Sequence, residues 1–233
     1  MTYQKNLSGW IKAQQDHSIQ TGNFIIEENK LVMIDRLRKS NLPTYEFHIL
    51  SLNNFYQNQS QAQKIFDKYD DRVVLRAVPT SSSFQRFTYI DQNLDSIISD
   101  LNKKIDSSDE EHYKILINEY DPAEYCGVVI SEKNQLTIEM AKEPNLEKLC
   151  HAQITPWSAI FKNYNNHDFR RMDYLNVKES DKNIKQLMWY VVKSLSKQTR
   201  VGNIPYYQPR LGYFEFVYSK KSGKLLFIDA SEK

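Results

Sequence analysis

Two pairs of strand-like segments follow each other closely in the chain, and they restrict its fold more than any other feature. Residues 127–131 and 135–140 form the first pair, and residues 212–219 and 225–229 form the second. All four segments are short and rich in branched or aromatic residues, which favour strands. Such short intervals permit hairpins, whereas a parallel crossover needs about a dozen residues or more. The sequence therefore predicts antiparallel sheets.

Helical periodicity marks four other segments, so the chain mixes both kinds of secondary structure. The clearest runs span residues 94–105 and 184–195, where apolar side chains recur every three or four residues. Shorter runs span residues 31–37 and 62–69, and the first must end before Pro43 because the residue preceding a proline disfavours helix. This order of elements predicts the α+β class and not a doubly wound parallel sheet.

The rest of the chain gives weaker signals. Residues 73–78 and 115–118 are short apolar runs that predict two more strands. Residues 155–171 contain scattered aromatic side chains without a clean period, and we interpret them as loop or short strand.

The composition excludes several classes of protein. The chain has 31 basic and 29 acidic residues, so it lacks the excess of positive charge that a dedicated nucleic-acid binder carries. It has two cysteines without a CxxC spacing and begins without a hydrophobic leader, which predicts a cytoplasmic protein. Its apolar runs are far shorter than the roughly 20 residues of a membrane span. We expect neither nucleic acid nor membrane as a partner.

The last predicted hairpin carries one acidic residue on each strand. If residues 221–223 form its loop with Gly223 in the left-handed region, the two strands pair Lys220 with Lys224. In the same register, Glu215 faces Asp229. The alternative is a register that differs by one residue, which would place the two carboxylates on opposite faces of the sheet, each solvated or paired with lysine.

Facing carboxylates predict a cation. Like charges on directly opposite residues of two strands destabilise the pair unless a cation lies between them. Oxygen ligands of this kind suit Mg2+. Ser231 follows Asp229 by two residues on the same face and adds a third oxygen. The predicted metal ligands are therefore Glu215, Asp229 and Ser231.

This hairpin resembles the end of an ATP-grasp domain. In that superfamily an acidic residue and, after a short turn, a Glu-x-Asn segment hold the metals that bridge the phosphates of ATP. Glu215 matches the first acid, while Asp229 stands at the Glu position and Ser231 at the Asn position. The resemblance extends over about residues 29–233 and implies that ATP and Mg2+ are bound.

Upstream segments carry the same resemblance. The segment 73–76 is similar to the superfamily's strand that ends in a phosphate-binding Lys or Arg, which implies that Arg76 contacts phosphate. The next segment falls where a mobile Gly- and Ser-rich loop covers the triphosphate, with hydroxyls and amides that can donate to phosphate. Its residues are Thr80, Ser81, Ser82 and Ser83.

The segment 115–128 is similar to the adenine hinge of ATP-grasp proteins. The resemblance assigns Glu119 and Tyr120 to the hinge, where the backbone contacts the base. It assigns Glu124 to the ribose, because a carboxylate can accept from both sugar hydroxyls, with Asp121 as the alternative.

The resemblance also implies a domain organisation. Residues 1–28 would be a vestigial N-terminal extension, and residues 29–233 would form two small α/β lobes whose antiparallel sheets enclose a nucleotide site. The smaller, nucleotide-covering part would span about residues 29–125. The larger part, with the metal hairpin, would span about residues 126–233.

The implied function is that of an ATP-dependent ligase. Such an enzyme activates a carboxylate as an acyl phosphate, which an amine or thiol then captures, so the implied partners are small-molecule carboxylates and amines. Arg210, five residues before Glu215, is assigned to the transferring phosphoryl group or the acceptor carboxylate. Two alternatives are a noncatalytic nucleotide-binding or partner-binding module, and a single-stranded nucleic acid binder that uses the region around Tyr206.

Overall fold

A computed structural model describes most of the chain. The described residues are 30–81, 83–132, 135–143, 149, 153–162, 171–201, 204–219 and 222–232, without the side chains of 162, 171–172, 197–208 and 231–232. They divide into two compact units. The four-stranded unit comprises residues 45–122 with 30–31, and the six-stranded unit comprises residues 32–44 and 123–232.

The described residues form helices and strands in alternating groups. The helices are α1 (Lys30–Ser40), α2 (Leu52–Gln57), α3 (Gln59–Lys68), α4 (Leu94–Lys104), a 3-10 helix (Ser107–His112) and α5 (Lys182–Ser194). The strands are β1 (His48–Ser51), β2 (Val73–Pro79), β3 (Phe87–Ile90), β4 (Tyr113–Glu119), β5 (Tyr125–Ser131), β6 (Gln135–Lys142), β7 (Trp157–Lys162), β8 (Arg171–Leu175), β9 (Ser196–Val201), β10 (Ile204–Pro209), β11 (Gly212–Tyr218) and β12 (Leu225–Glu232). No helix among the described residues is long and apolar enough to cross a membrane.

The four-stranded unit packs its helices on one face of an antiparallel sheet. The strand order is β1-β4-β2-β3. Val73, Leu75 and Ala77 alternate along β2 and are buried in one apolar cluster with residues of α2, α3 and α4. Because successive side chains of a strand point to opposite faces, Arg76 lies on the face of β2 that is turned away from these helices.

The six-stranded unit buries α5 against a second antiparallel sheet. The strand order is β12-β11-β5-β6-β7-β8. Val129 of β5 and Phe214 and Phe216 of β11 belong to one apolar cluster with Met188 and Val191 of α5. A separate two-stranded ribbon joins β9 to β10.

The sequence predictions of class and of the main elements are confirmed. The chain is α+β with antiparallel sheets, and all four predicted helices and both predicted hairpins are present. Local sequence determines where α4 begins, because the side chain of Asn93 accepts a hydrogen bond from the backbone N of Ser96 at 2.8 Å and so caps the helix. Its apolar residues Leu94, Ile97 and Leu101 are buried.

The interpretation of residues 155–171 as loop or short strand is only partly right. Residues 157–162 form β7, which lies inside the sheet between β6 and β8. Ala159 and Phe161 are fully buried in the core of the six-stranded unit. The opposite face of β7 is also covered, since Ser158 is buried and Ile160 is half-buried, so the strand lacks a simple alternation of apolar and polar residues. Residues 163–170 lie outside the described residues.

The outer edge of the six-stranded sheet is covered by the segment after α1. The backbone N of Phe227 donates to the carbonyl of Pro43 at 2.7 Å. The hydroxyl of Thr44 donates to the carbonyl of Phe227 at 2.8 Å. These bonds satisfy outward-facing groups of β12 that an open edge strand would leave unpaired.

The β11–β12 hairpin contains a bulge that is not predicted from the sequence. Next to the turn, Phe216 pairs with Phe227, one residue off the predicted register. Farther from the turn, Glu215 pairs with Asp229, as predicted. Ile228 is the additional residue between these two pairs. The predicted pairing of the carboxylates is therefore confirmed, but a β-bulge produces it.

Gly223 has the left-handed conformation predicted for the turn, with φ of 66°. A side chain there would meet no atom within 4 Å, so only backbone strain opposes a substitution. We expect Gly223→Ala to lower the free energy of unfolding by about 1 kcal/mol. Gly223→Asn should cost less, because asparagine tolerates this region. Urea unfolding of the three proteins measures the difference, and equal stabilities of the alanine variant and the parent would contradict it.

Candidate metal and nucleotide site

Glu215 lies on the face of the six-stranded sheet that is turned away from α5. Its neighbours Phe214 and Phe216 are both buried in the cluster with α5. Alternation along β11 therefore directs Glu215 to the other face. The hydroxyl of Tyr213, two residues earlier on the same face, donates to Oε1 of Glu215 at 2.7 Å. This bond orients a half-buried carboxylate.

Asp229 lies on the same face because of the bulge. On β12, Leu225, Phe227 and Ala230 are buried in the cluster with α5, so the interval changes from two residues to three at Ile228. Simple alternation from Phe227 would have directed Asp229 into this apolar core. The bulge instead directs it to the face of Glu215, where it is 8% exposed.

The pair fits a divalent cation bound together with a polyphosphate. Two acidic side chains on directly paired residues repel each other, and their burial makes the repulsion stronger. Mg2+ is commonly held by one or two carboxylates plus phosphate oxygens and water. Among the described residues there is no group of three or more His, Cys, Asp and Glu that could hold a metal by itself. The backbone of Ser231 pairs with Tyr213, and its side chain lies outside the described part.

Arg76 offers a cation on the face of the four-stranded sheet that is turned away from α2, α3 and α4. Its Nη1 donates to Oδ1 of the buried Asn118 at 3.0 Å, and Nδ2 of Asn118 donates to the carbonyl of Glu119 at 2.7 Å. Burial lowers the pKa of Arg76, Tyr45 opposes this shift, and the positive charge of Arg86 adds to it. Among the described residues no carboxylate pairs with Arg76. The remaining N–H groups suit an anion.

The predicted phosphate loop connects β2 to β3 and is hydrogen-bonded both to His112 and within itself. The backbone N and the hydroxyl of Thr80 both donate to the carbonyl of His112, at 2.8 and 3.1 Å. The hydroxyls of Ser81 and Ser83 are 2.9 Å apart. Phe84 stacks on the ring of His112 with 4.9 Å between centroids. Ser82 lies outside the described residues.

The predicted hinge residues follow the end of β4. Glu119 is exposed and pairs with Val73. The backbone N of Tyr120 donates to the carbonyl of Arg72 at 2.8 Å, and the guanidinium of Arg72 lies 5.5 Å from the centre of the Tyr120 ring. Asp121 is half-buried. A base at this hinge would therefore use backbone groups other than the N–H of Tyr120.

Glu124 and Arg210 lie at opposite ends of β11. The backbone N of Glu124 donates to the carbonyl of Tyr218, the last residue of the strand, at 2.8 Å. Arg210 is half-buried, precedes the strand, and donates its backbone N to the carbonyl of Leu195 at 2.8 Å. Glu215 lies between them, about 10 Å along the strand from each end. The structure thus orders Glu124, Glu215 and Arg210 along one strand without bringing them into one cluster.

The residues that support these side chains are not among those predicted from the sequence. Asn118 holds Arg76, and Tyr213 holds Glu215. Asn118 lies in an apolar run of β4, and a single amide in such a run is the sequence feature that could have indicated its role. No sequence feature indicates the role of Tyr213, because aromatic residues are common in strands. The alternative nucleic-acid surface around Tyr206 falls on side chains outside the described part.

Comparison with known proteins gives similarity to solved structures alone. No family model matches the chain, and no curated protein matches it. The chain is similar to a D-alanine-D-alanine ligase from Coxiella burnetii, with 12% identity and a TM-score of 0.41 over 88% of this chain and 47% of that one. It is similar to the macrocyclase MdnC of Microcystis aeruginosa MRC, solved with the precursor peptide MdnA, with 9% identity and a TM-score of 0.42 over 96% and 60%.

A third similar structure is the ATP-grasp ligase PsnB with a minimal precursor, at 10% identity and a TM-score of 0.36 over 87% of this chain and 51% of that one. The chain spans about half the length of these structures, with 47%, 60% and 51% covered. Because the identities are this low, the function proposed below rests on the residues of this chain.

Proposed function

We propose that the protein binds ATP with Mg2+ and is an ATP-dependent ligase that joins a carboxylate to an amine or thiol. The observation that supports this most is the pairing of Glu215 with Asp229 on one face of the sheet. A bulge is needed to create this pair, and apolar residues at both positions would pack without repulsion. Bound metal and phosphate are a physical reason for such an arrangement.

Different residues of this chain would bind different parts of the nucleotide. Glu215 and Asp229 would hold Mg2+, with Ser231 as a further oxygen, and Arg76 would contact phosphate. Glu124 would accept from the ribose hydroxyls, and Glu119, Tyr120 and Asp121 would lie near the base. Glu124 and Arg210 lie next to opposite ends of β11 and Glu215 lies between them, an order that matches a ribose at Glu124 and a transferring phosphoryl group at Arg210.

The proposed reaction has two steps. An oxygen of the substrate carboxylate attacks the terminal phosphorus of ATP, the bond to the ADP oxygen breaks, and an acyl phosphate forms. The amine nitrogen or thiol sulfur then attacks the acyl carbon, phosphate leaves, and the nucleophile loses its proton to solvent. When bound, Mg2+ offsets negative charge on the phosphates. Arg210 would orient the acceptor carboxylate by charge and hydrogen bonds, since such reactions depend mainly on positioning.

Binding of Mg-ATP should stabilise the protein, since a ligand of the native state alone raises its stability by mass action. At a free concentration one hundred times Kd, the gain is about 2.7 kcal/mol, and it should raise Tm by several degrees. Thermal unfolding with ATP and Mg2+ is compared with ATP plus chelator and with Mg2+ alone. A folded protein whose Tm is the same in all three would rule out the nucleotide site.

Turnover separates a ligase from a noncatalytic module. The module is favoured by Ser231, which stands at the Asn position of the motif that the hairpin resembles. The protein is mixed with Mg-ATP and pooled carboxylates, amines and thiols, and release of ADP is measured. We expect ADP to form with a pool that contains an accepted substrate. Stabilisation by Mg-ATP without ADP from any pool would support the module. The cytoplasmic location predicted from the sequence is part of this proposal.

A further inference from the structure

One face of the four-stranded sheet carries basic side chains and no acidic ones. Val73, Leu75 and Ala77 of β2 are buried with the helices, so the residues between them are directed to the opposite face. Strand pairing places on this opposite face Ile49 of β1, Val74, Arg76 and Val78 of β2, Thr88 and Ile90 of β3, and Lys114, Leu116 and Asn118 of β4. None of these residues is acidic. We call this surface the basic face.

Arg86 extends the basic face just before β3 begins. Phe87 and Tyr89 pack in the apolar cluster with the helices, whereas Thr88 pairs with Arg76 on the opposite face. Arg86 precedes Thr88 by two residues, so alternation directs it to the basic face as well. Burial lowers the pKa of Arg76 most, and the positive charge of Arg86 lowers it further. The two guanidinium groups are therefore close enough to repel each other.

Lys114 is the third cation of the basic face. It pairs with Val78 of β2, two residues along the strand from Arg76. Diagonal neighbours of this kind on adjacent strands lie about 7 to 8 Å apart, within reach of long side chains. On the other side of β2, Arg86 stands two residues before the partner of Arg76 and so has a similar diagonal position. Arg76 is thus flanked by two further positive charges.

Within the part of the chain that the structure describes, no carboxylate neutralises these cations. Arg86 and Lys114 form no ion pair there. Arg76 donates to the neutral amide of Asn118, which is 2% exposed and is fixed in turn by its bond to the carbonyl of Glu119. An amide orients the guanidinium but leaves its charge in place, whereas a carboxylate would cancel it.

Three cations of this kind fit a ligand with several negative charges. Val78 and Leu116 are buried among them, and apolar surroundings strengthen both the repulsion between the cations and their attraction to an anion. Phosphate oxygens accept charge-assisted hydrogen bonds from guanidinium and ammonium groups. A monovalent anion would meet one of the cations, whereas a polyphosphate chain carries a charge for each.

We propose that Arg86 and Lys114 bind a polyphosphate chain together with Arg76, and that Asn118 is a positioning residue for Arg76. The inference rests on the proposed function, because it extends the phosphate contact given there to Arg76. It assigns two further binding residues that no motif in the sequence indicates. The chain can be inorganic or part of a nucleotide, and the test below separates the two sources.

Isothermal titration calorimetry of the full chain with inorganic tripolyphosphate, without metal, tests the basic face apart from the metal site. We expect binding, and Arg86→Gln and Lys114→Gln should each weaken it about threefold to tenfold, as for partly exposed charged hydrogen bonds. Arg86→Lys keeps the charge and should retain most of the affinity. Lys64→Gln is the control, since it removes an exposed lysine of α3, on the helix side of the sheet, and should leave the affinity unchanged at fixed ionic strength.

A double-variant comparison tests the role of Asn118. Asn118→Leu should weaken tripolyphosphate binding in the parent, because the guanidinium loses the group that orients it. In an Arg76→Gln background the same change should have no further effect, since Asn118 acts through Arg76. An equal loss in both backgrounds would show that Asn118 has a structural role only. The far-UV spectrum of each variant verifies that it is folded.

Three results would overturn the assignment of Arg86 and Lys114. They are no heat of binding at millimolar tripolyphosphate, a loss in Lys64→Gln as large as that in Arg86→Gln, or unchanged affinity in both Arg86→Gln and Lys114→Gln. Thermal unfolding with Mg-ATP is measured on the same proteins. Equal stabilisation of the parent and both variants would overturn this inference and keep the nucleotide site. Tripolyphosphate binding that depends on both residues, without stabilisation by Mg-ATP, would keep the anion site and reject the nucleotide function.

Discussion

Glu215→Gln and Asp229→Asn are each expected to lower the affinity for ATP in Mg2+ by at least about tenfold, as for loss of groups that organise a metal site. Each change removes one negative charge and nearly keeps the shape of the side chain. The amide oxygen introduced by Glu215→Gln can still accept from Tyr213, whose hydroxyl lies 2.7 Å from Oε1 of Glu215. Without metal, the free energy of unfolding should stay the same or rise by up to about 1 kcal/mol, because the repulsion is relieved.

The difference between Mg2+ and chelator is the quantity to measure. In the parent, Mg2+ should strengthen ATP binding, and in both variants this increase should shrink. Glu179→Gln is a matched control, since Glu179 is an exposed residue in the turn before α5. If both amide variants bind ATP with the same Mg2+ dependence as the parent, Glu215 and Asp229 do not share a metal.

Gly127→Ala is expected to lower the free energy of unfolding by about 2 kcal/mol or more, within the range for overpacked cores. Gly127 pairs directly with Phe216 across β5 and β11. A Cβ at this position would lie 2.4 Å from the Phe216 ring and 2.6 Å from the backbone oxygen of Glu139. The Phe216 ring can shift only into a filled core, and the Glu139 oxygen is part of the sheet backbone. Relieving either contact would therefore distort the core or the sheet.

A second substitution distinguishes overpacking from a general intolerance of the strand. Phe216→Leu alone should destabilise the protein by opening a cavity. The double variant should be more stable than the sum of the two single losses indicates, because leucine makes room for the new methyl group. Urea unfolding of all four proteins gives the coupling. Simple additivity would show that contact with Phe216 is not the cause of the Gly127→Ala loss.

The sequence alone determined the parts of the fold that depend on near neighbours. Asn93 and the apolar spacing after it define α4, because capping and helical periodicity are local. Gly223 defines the turn of the last hairpin, because its left-handed backbone is costly for other residues. From these local features followed the α+β class, the hairpins, and the expectation that Glu215 and Asp229 are neighbours.

Only the tertiary structure decided how those elements are joined and which side chains meet. Residues 157–162 become an interior strand because β6 and β8 pair with both of their edges. Ile228 becomes a bulge because Ala230, and not Asp229, has to fill the core against α5, where a charge would lie in apolar surroundings. Contacts between residues distant in sequence decide both outcomes, so the local pattern that names the strands cannot determine them.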